Sequence, residues 1–162
     1  PRNTVAYNNR GNAKSALKDY YGAIADYTKS IELGPDSATY YWRGVAKVNL
    51  KDYYGVIADC TKAIELDSNN AETYLLRGFA KANLKDYYGS IADCTKVIEL
   101  TPNNAKGYGC RGVAKASLND NHGAITDLNE ALRLDPTDQA ARELKNSIIN
   151  AINTTNLLRY YY

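Results

Sequence analysis

The chain has 162 residues, with 20 Lys plus Arg against 18 Asp plus Glu, and its net charge of +2 excludes a strongly basic nucleic-acid surface and an acidic tail. One His cannot furnish a His-rich metal centre, and the three Cys (Cys60, Cys94 and Cys110) contain no C-x-x-C pair and cannot all pair within the chain. No apolar run approaches the roughly 18 residues of a bilayer span. A disulfide scaffold is therefore not expected, and the thiols read as those of a reducing, cytoplasmic compartment. The absence of Met leads us to expect that the chain begins after its natural start, which would put any targeting segment out of view.

Taken in chain order, the sequence repeats itself. Arg43-Gly44, Arg77-Gly78 and Arg111-Gly112 are each 34 residues apart, and Arg10-Gly11 lies 33 before the first of them. The block Lys18-Asp19-Tyr20-Tyr21-Gly22 returns as Lys51-Asp52-Tyr53-Tyr54-Gly55 and Lys85-Asp86-Tyr87-Tyr88-Gly89, then decays to Asn119-Asp120-Asn121-His122-Gly123. Four units follow, 4–36, 37–70, 71–104 and 105–138. In the second unit Tyr40, Gly44, Ala46, Val48 and Leu50 fall at helical spacing, Lys51-Asp52 turns the chain, and Val56, Ile57, Cys60, Ala63 and Ile64 recur at three and four. Breakers separate the units at Gly34-Pro35, Ser68-Asn69-Asn70, Pro102-Asn103-Asn104 and Asp135-Pro136. No stretch alternates with period two, so the class is all-α.

This pattern resembles the tetratricopeptide repeat family, a helix-turn-helix with a period of about 34. In the second unit the match includes Tyr40, Gly44, Tyr53, Val56, Ala63 and Leu66. In the first it includes Ala23, Tyr27 and Pro35, and in the fourth Ala124, Ala131 and Pro136. The departures are an Arg before each Gly, where Leu is common, and Gly rather than Glu at Gly22, Gly55, Gly89 and Gly123. The resemblance implies a right-handed superhelical α-solenoid of antiparallel helix pairs. Residues 139–158 lack the Arg-Gly pair and the turn block. Ala140, Leu144, Ile148, Ile149 and Ile152 lie on one helical face, as expected of a helix capping the last repeat. Residues 159–162 would form a projecting tail.

In that family the first helix of each pair lines a concave face that takes partner peptides. By position, the resemblance assigns to this face Val5, Asn8, Asn9 and Asn12, then Tyr41, Trp42, Val45 and Asn49. Glu72, Leu75, Leu76, Phe79 and Asn83 follow, and then Lys106, Cys110, Val113 and Ser117. Trp42 and Phe79 are the sole Trp and the sole Phe. Either they anchor an apolar or amphipathic segment in the groove, or they pack between helices as core. Some relatives clamp the acidic C-terminus of chaperones with Lys, Asn and Arg. Here only Asn12 fits that clamp among the first five positions. Asn8, Trp42, Glu72 and Leu76 do not, and Cys110 replaces the Arg that would accompany Lys106.

A column of Arg10, Arg43, Arg77 and Arg111 faces one of Asp26, Asp59, Asp93 and Asp127, which predicts one structural ion pair per unit rather than a carboxylate ladder for a metal. Lys14, Lys47, Lys81 and Lys115 read as a solvated stripe. Cys60 and Cys94 share a column with Tyr27 and Leu128 and are expected in the core, whereas Cys110 is expected on the groove side. Of each Tyr pair, the first is expected to pack. The second (Tyr21, Tyr54, Tyr88) should point outward, because adjacent helical residues diverge. His122 reads as a surface residue, and the sequon at Asn153 as accidental.

No Ser-His-Asp set can be built around His122, and neither a Walker loop nor G-x-G-x-x-G is present, so no catalytic site, cofactor or metal is expected. The expected role is a scaffold or adaptor binding a protein or peptide. The alternative is a self-assembling protein joined through repeat ends or the Leu157–Tyr162 segment. A third reading is the non-catalytic part of a larger enzyme. Binding of RNA by stacked Tyr ranks below these, for lack of positive charge.

Overall fold

Asp or Asn stands at the start of almost every helix, and its side chain accepts a hydrogen bond from an amide of the first turn that has no partner within the helix. Examples are Asp36 to Thr39 (3.0 Å), Asn70 to Thr73 (3.2 Å) and Asp138 to Ala141 (3.0 Å). The computed structural model describes the backbone of residues 3–161 and the side chains of residues 3–154. Over that range the helices are α1 (Thr4–Ala16), α2 (Tyr20–Leu33), α3 (Ser37–Asn49), α4 (Tyr53–Leu66), α5 (Ala71–Asn83), α6 (Tyr87–Leu100), α7 (Ala105–Ser117), α8 (Asn121–Leu134) and α9 (Gln139–Tyr161). There is no strand among the described residues. The side chains of the expected Leu157–Tyr162 contact segment lie outside the described residues.

The Lys-Asp block makes the tight turn inside each pair. Lys18, Lys51, Lys85 and Asn119 adopt left-handed backbone, with φ of 63°, 58°, 65° and 62°. In each turn two amides reach back to the last carbonyls of the preceding helix. Lys18 N bonds to Ser15 O at 3.0 Å and Asp19 N to Lys14 O at 2.9 Å, and the later turns repeat the arrangement. This is the Schellman closure, built here without glycine. The following Asp then caps the second helix, with Asp19 and Asp52 accepting from Gly22 N and Gly55 N at 2.9 Å. A Cβ at either glycine would overlap that carboxylate, which accounts for Gly where the family usually has Glu.

The helices form two compact units, α1–α5 and α6–α9. In the first, Ala23, Tyr27 and Ala46 make one buried cluster, and Val56, Cys60 and Ala80 make another with Tyr53, Ile57 and Leu76 against them. In the second, Ala124, Leu128, Ala141 and Ile148 are buried together, with Leu144 and Ile152 packed on them. The inward stripe of α9 thus starts at Ala141, whereas Ala140 is exposed. The α9 helix also keeps the repeat register. Lys145 falls 34 residues after Arg111 and donates to Asn129 at 3.2 Å, as Arg111 Nη1 donates to Thr95 at 3.4 Å.

The size of the facing residue decides what each small position tolerates. A Cβ on Gly11 would sit 2.7 Å from the Tyr27 ring, whereas one on Gly44 would meet Leu76 at 3.4 Å and Cys60 at 3.6 Å, ordinary contact distances. Gly44→Ala is therefore expected to raise stability by about 0.5–1 kcal/mol through helix propensity. Gly11→Ala should lower it by about 1–2 kcal/mol through overpacking. Paired thermal melts decide this, and a stabilising Gly11→Ala would contradict the packing described.

Candidate functional site: the repeated ion network and the first-helix surface

Within each described pair, an Arg on the first helix reaches an Asp on the second. Arg43 Nε and Nη2 donate to the two oxygens of Asp59 at 3.0 and 2.6 Å, and Arg111 does the same to Asp127 at 2.9 and 2.7 Å. Arg10 holds Asp26 at 2.8 and 2.5 Å. The ion pair expected from the columns is present, and it is bidentate. The guanidinium is also positioned by a Tyr three residues earlier: Arg10, Arg43, Arg77 and Arg111 lie 5.3–5.8 Å from the ring centres of Tyr7, Tyr40, Tyr74 and Tyr108. A further nitrogen crosses to the preceding repeat, where Arg43 bonds Thr28 at 3.0 Å and Arg77 bonds Thr61 at 3.1 Å. Arg43 and Arg111 each therefore tie both helices of their own pair to the last helix of the pair before.

The expectation of a solvated lysine stripe is corrected. Lys14, Lys47 and Lys115 lie 2.9, 2.8 and 2.8 Å from Asp26, Asp59 and Asp127. One turn separates each Lys from its Arg on the same face, so both cations reach one carboxylate. No group of His, Cys, Asp or Glu that could hold a metal ion is found among the described residues.

This network sets an acid limit. The Arg10 hydrogen bond, working against burial and helped by Lys14, holds the Asp26 carboxyl down at about 2. Burial pushes Asp127 up, but Arg111 and Lys115 outweigh it and hold it below the usual range. A carboxyl depressed on folding stabilises the fold above its unfolded pKa of about 4, and that contribution is lost as pH falls through the folded value. Denaturant unfolding from pH 5 to pH 2 should therefore show stability falling steadily below about pH 4, and Asp26→Asn should flatten the slope. An unchanged slope in the variant would contradict the assignment.

On the first helices, the residues assigned to a groove differ in what is left free. Trp42, Phe79 and Val113 are each 46% exposed. Trp42 meets the edge of Tyr41 with centres 5.1 Å apart, and Phe79 meets Tyr53 at 6.1 Å. An open cavity of about 300 Å³ beside Trp42 is lined by Asn12, Ser15, Ala16 and Tyr27. Tyr41, Val45, Leu75 and Leu76 are half-buried, and Glu72 and Lys106 are exposed. The amides are partly used within the fold. Asn8 donates to Thr39 at 2.7 Å, Asn12 accepts from the Tyr27 hydroxyl at 2.7 Å, and Asn49 and Asn83 donate to Val45 O and Phe79 O at 3.0 and 2.9 Å. Cys110 is not a separate thiol: it is bonded to Cys94, their Cα atoms 6.0 Å apart, which corrects the expectation of unpaired cysteines. Cys60 and Cys94 are fully buried, as expected of their column. The second member of each Tyr pair, Tyr21, Tyr54 and Tyr88, is more than three-quarters exposed.

Helix pairs of fixed length, joined by one repeated turn and stitched by one repeated ion network, define an α-helical tandem-repeat protein. The tetratricopeptide repeat profile matches residues 4–37, 37–70, 71–104 and 105–138, and the chain belongs to that family. Among solved structures, MamA from Desulfovibrio magneticus RS-1 is similar over 98% of this chain and 90% of its own, with a TM-score of 0.87 and 18% identity. YrrB, described as a TPR protein with an unusual peptide-binding site, matches 90% of this chain and 75% of its own at 0.83 and 23%. The first repeat domain of Spaghetti (RPAP3), solved with the HSP90 peptide SRMEEVD, matches 73% of this chain and 94% of its own at 0.71 and 24%. No curated protein matches the chain. Among the described residues no helix is long and apolar enough to cross a membrane.

Proposed function

We propose that the chain is a protein-interaction module that holds an apolar or amphipathic peptide segment against the first helices of its repeats. The observation that carries this reading is the half-exposure of Trp42 and Phe79, each steadied by one aromatic neighbour. Rigid aromatic side chains bury large area at small entropic loss, and they dominate interfaces where they occur. Val45, Leu75 and Leu76 extend the apolar surface within the same unit. One structural neighbour solved with a peptide, and another described as having a peptide-binding site, support the general role. The residues here do not favour an acidic tail as ligand, because Trp42 and Leu76 stand where a carboxylate clamp needs polar and cationic groups. The catalytic, cofactor and metal roles expected to be absent have no part in the proposal.

Trp42 is the only tryptophan, so its emission reports on this surface directly. Peptides selected from a phage-displayed random library should be apolar or aromatic in their shared positions, and titrating them should shift Trp42 emission to the blue. Selected peptides that bind without changing the emission would place the site elsewhere.

A further inference from the structure

Repeat symmetry exposes a point where the chain departs from its own pattern. The second-helix column Tyr27, Cys60, Cys94, Leu128 pairs with the next first-helix column Trp42, Leu76, Cys110, Leu144. Elsewhere the two columns meet through packing. Tyr27 and Trp42 line one cavity, Cys60 and Leu76 share one cluster, and Leu128 and Leu144 share another. Only Cys94 and Cys110 are covalently joined among the described residues, at a Cα separation ordinary for a disulfide. Two other departures fall at the same point. Ser90 replaces the Ala23, Val56 and Ala124 of the other second helices. It is fully buried, with its Oγ 3.8 Å from Cys94 Sγ and 4.0 Å from Cys110 Sγ. Gly109 replaces Tyr41 and Leu75, and nothing lies within 4 Å of where its Cβ would be. The space so opened belongs to a cavity of about 250 Å³ bordered by Lys106, Cys110 and Val113 of α7 and by Ala140 and Ala141 of α9. Cys110 borders that cavity, whereas Cys94 is 0% exposed.

We propose that Cys110 is a thiol-exchange site for a small thiol or its disulfide, with Cys94 as the buried resolving cysteine. In the reducing direction, the thiolate of the incoming molecule attacks Cys110 Sγ from the cavity. A new S–S bond forms there, the Cys94–Cys110 bond breaks, and its electron pair leaves on Cys94 Sγ. The Ser90 hydroxyl donates to that leaving thiolate, which is then protonated by solvent. A second small thiolate attacks the small-molecule sulfur of the mixed disulfide, leaving Cys110 as the thiolate and releasing the small-molecule disulfide. Two electrons pass from two thiols to the protein pair, and the small disulfide is the oxidant of the reverse reaction. Lys106, one turn before Cys110 on α7, lines the same cavity and places a positive charge at its mouth. The bond pins α6 to α7, so its redox state sets the stability of this part of the chain.

Glutathione, in both forms, is the probe. After oxidised glutathione and alkylation in denaturant, intact mass should show one modified thiol, Cys60, and digestion should yield the Cys94–Cys110 linked peptide. After reduced glutathione, three thiols should be modified. Cys94→Ser should carry one glutathione on Cys110, and Cys110→Ser should carry none on Cys94. Ser90→Ala, with unchanged helicity by circular dichroism, should be reduced about tenfold more slowly, the size expected for losing a hydrogen bond to a charged group. The oxidised protein should melt about 5–10 °C above the reduced one. Three modifiable thiols after oxidised glutathione, glutathione on Cys94 of the Cys110→Ser variant, or an unchanged rate in Ser90→Ala would each overturn the step as written.

Discussion

Asp59→Ala should lower stability by about 3 kcal/mol or more, a fall in melting temperature of about 6–12 °C for a chain of this size. The Asp59 side chain is 3% exposed and serves two cations that are themselves largely covered, Arg43 at 16% and Lys47 at 17%. Removing the carboxylate leaves both largely covered charges without that counter-charge. It also frees the Arg43 fork that bridges to Thr28. The loss comes from the stranded cations rather than from the strength of the pair. Replacing Arg43, Lys47 and Asp59 together by Met, Leu and Leu should therefore return stability to within about 1 kcal/mol of the original. Asp26→Ala should have the smaller effect, since the Arg10 side chain is 59% exposed and water can solvate it. Chemical denaturation of the variants orders them, and an Asp26 effect larger than that of Asp59 would contradict the account.

Leu128→Ala should cost about 3 kcal/mol, within the usual range for a fully buried leucine. Leu128 is 0% exposed at the centre of the cluster with Ala124, Ala141 and Ile148. A Cβ on Gly112 would lie only 3.0 Å from its Cγ, so Leu128 is packed to contact on the α7 side. Truncation would remove a large side chain packed between α7, α8 and α9, and Ala124, Ala131 and Ala141 are too small to collapse into the void. The unfolding transition should broaden as well, because repeat stability is the sum of neighbouring interfaces. A cost below about 1 kcal/mol would mean that α9 does not depend on this contact.

Much of this architecture could be read from columns. The 34-residue period placed the helix pairs, put Cys60 and Cys94 inside, paired Arg43 with Asp59, and sent Tyr54 outward. A column gives the angle of a residue around its helix, but not how far its side chain reaches. Lys47 lies on the same face as Arg43, and whether its ammonium stays in water or folds onto Asp59 depends on the gap between the helices. Asn12 looked like a ligand group, yet the Tyr27 hydroxyl ends within 2.7 Å of it. The Cys94–Cys110 bond did have a signal. The two columns that meet in every repeat both carry Cys only there, but seeing it requires knowing which second-helix position touches which position of the next first helix. Trp42 and Phe79 could not be divided between groove and core by position, because each packs on one aromatic neighbour, Tyr41 or Tyr53, and is still about half exposed.

The proposed partner-binding surface is the half-exposed pair Trp42 and Phe79. Its most direct measurement is the affinity of a phage-selected peptide for the whole chain, compared with its Trp42→Ala, Phe79→Ala and Tyr54→Ala variants, each checked for an unchanged melting temperature. Trp42→Ala and Phe79→Ala should each weaken binding by about tenfold or more, as expected for central aromatic anchors, while Tyr54→Ala, an exposed aromatic of the second helix, should leave it unchanged. Equal affinity for the original, Trp42→Ala and Phe79→Ala chains, or a loss confined to Tyr54→Ala, would contradict the account.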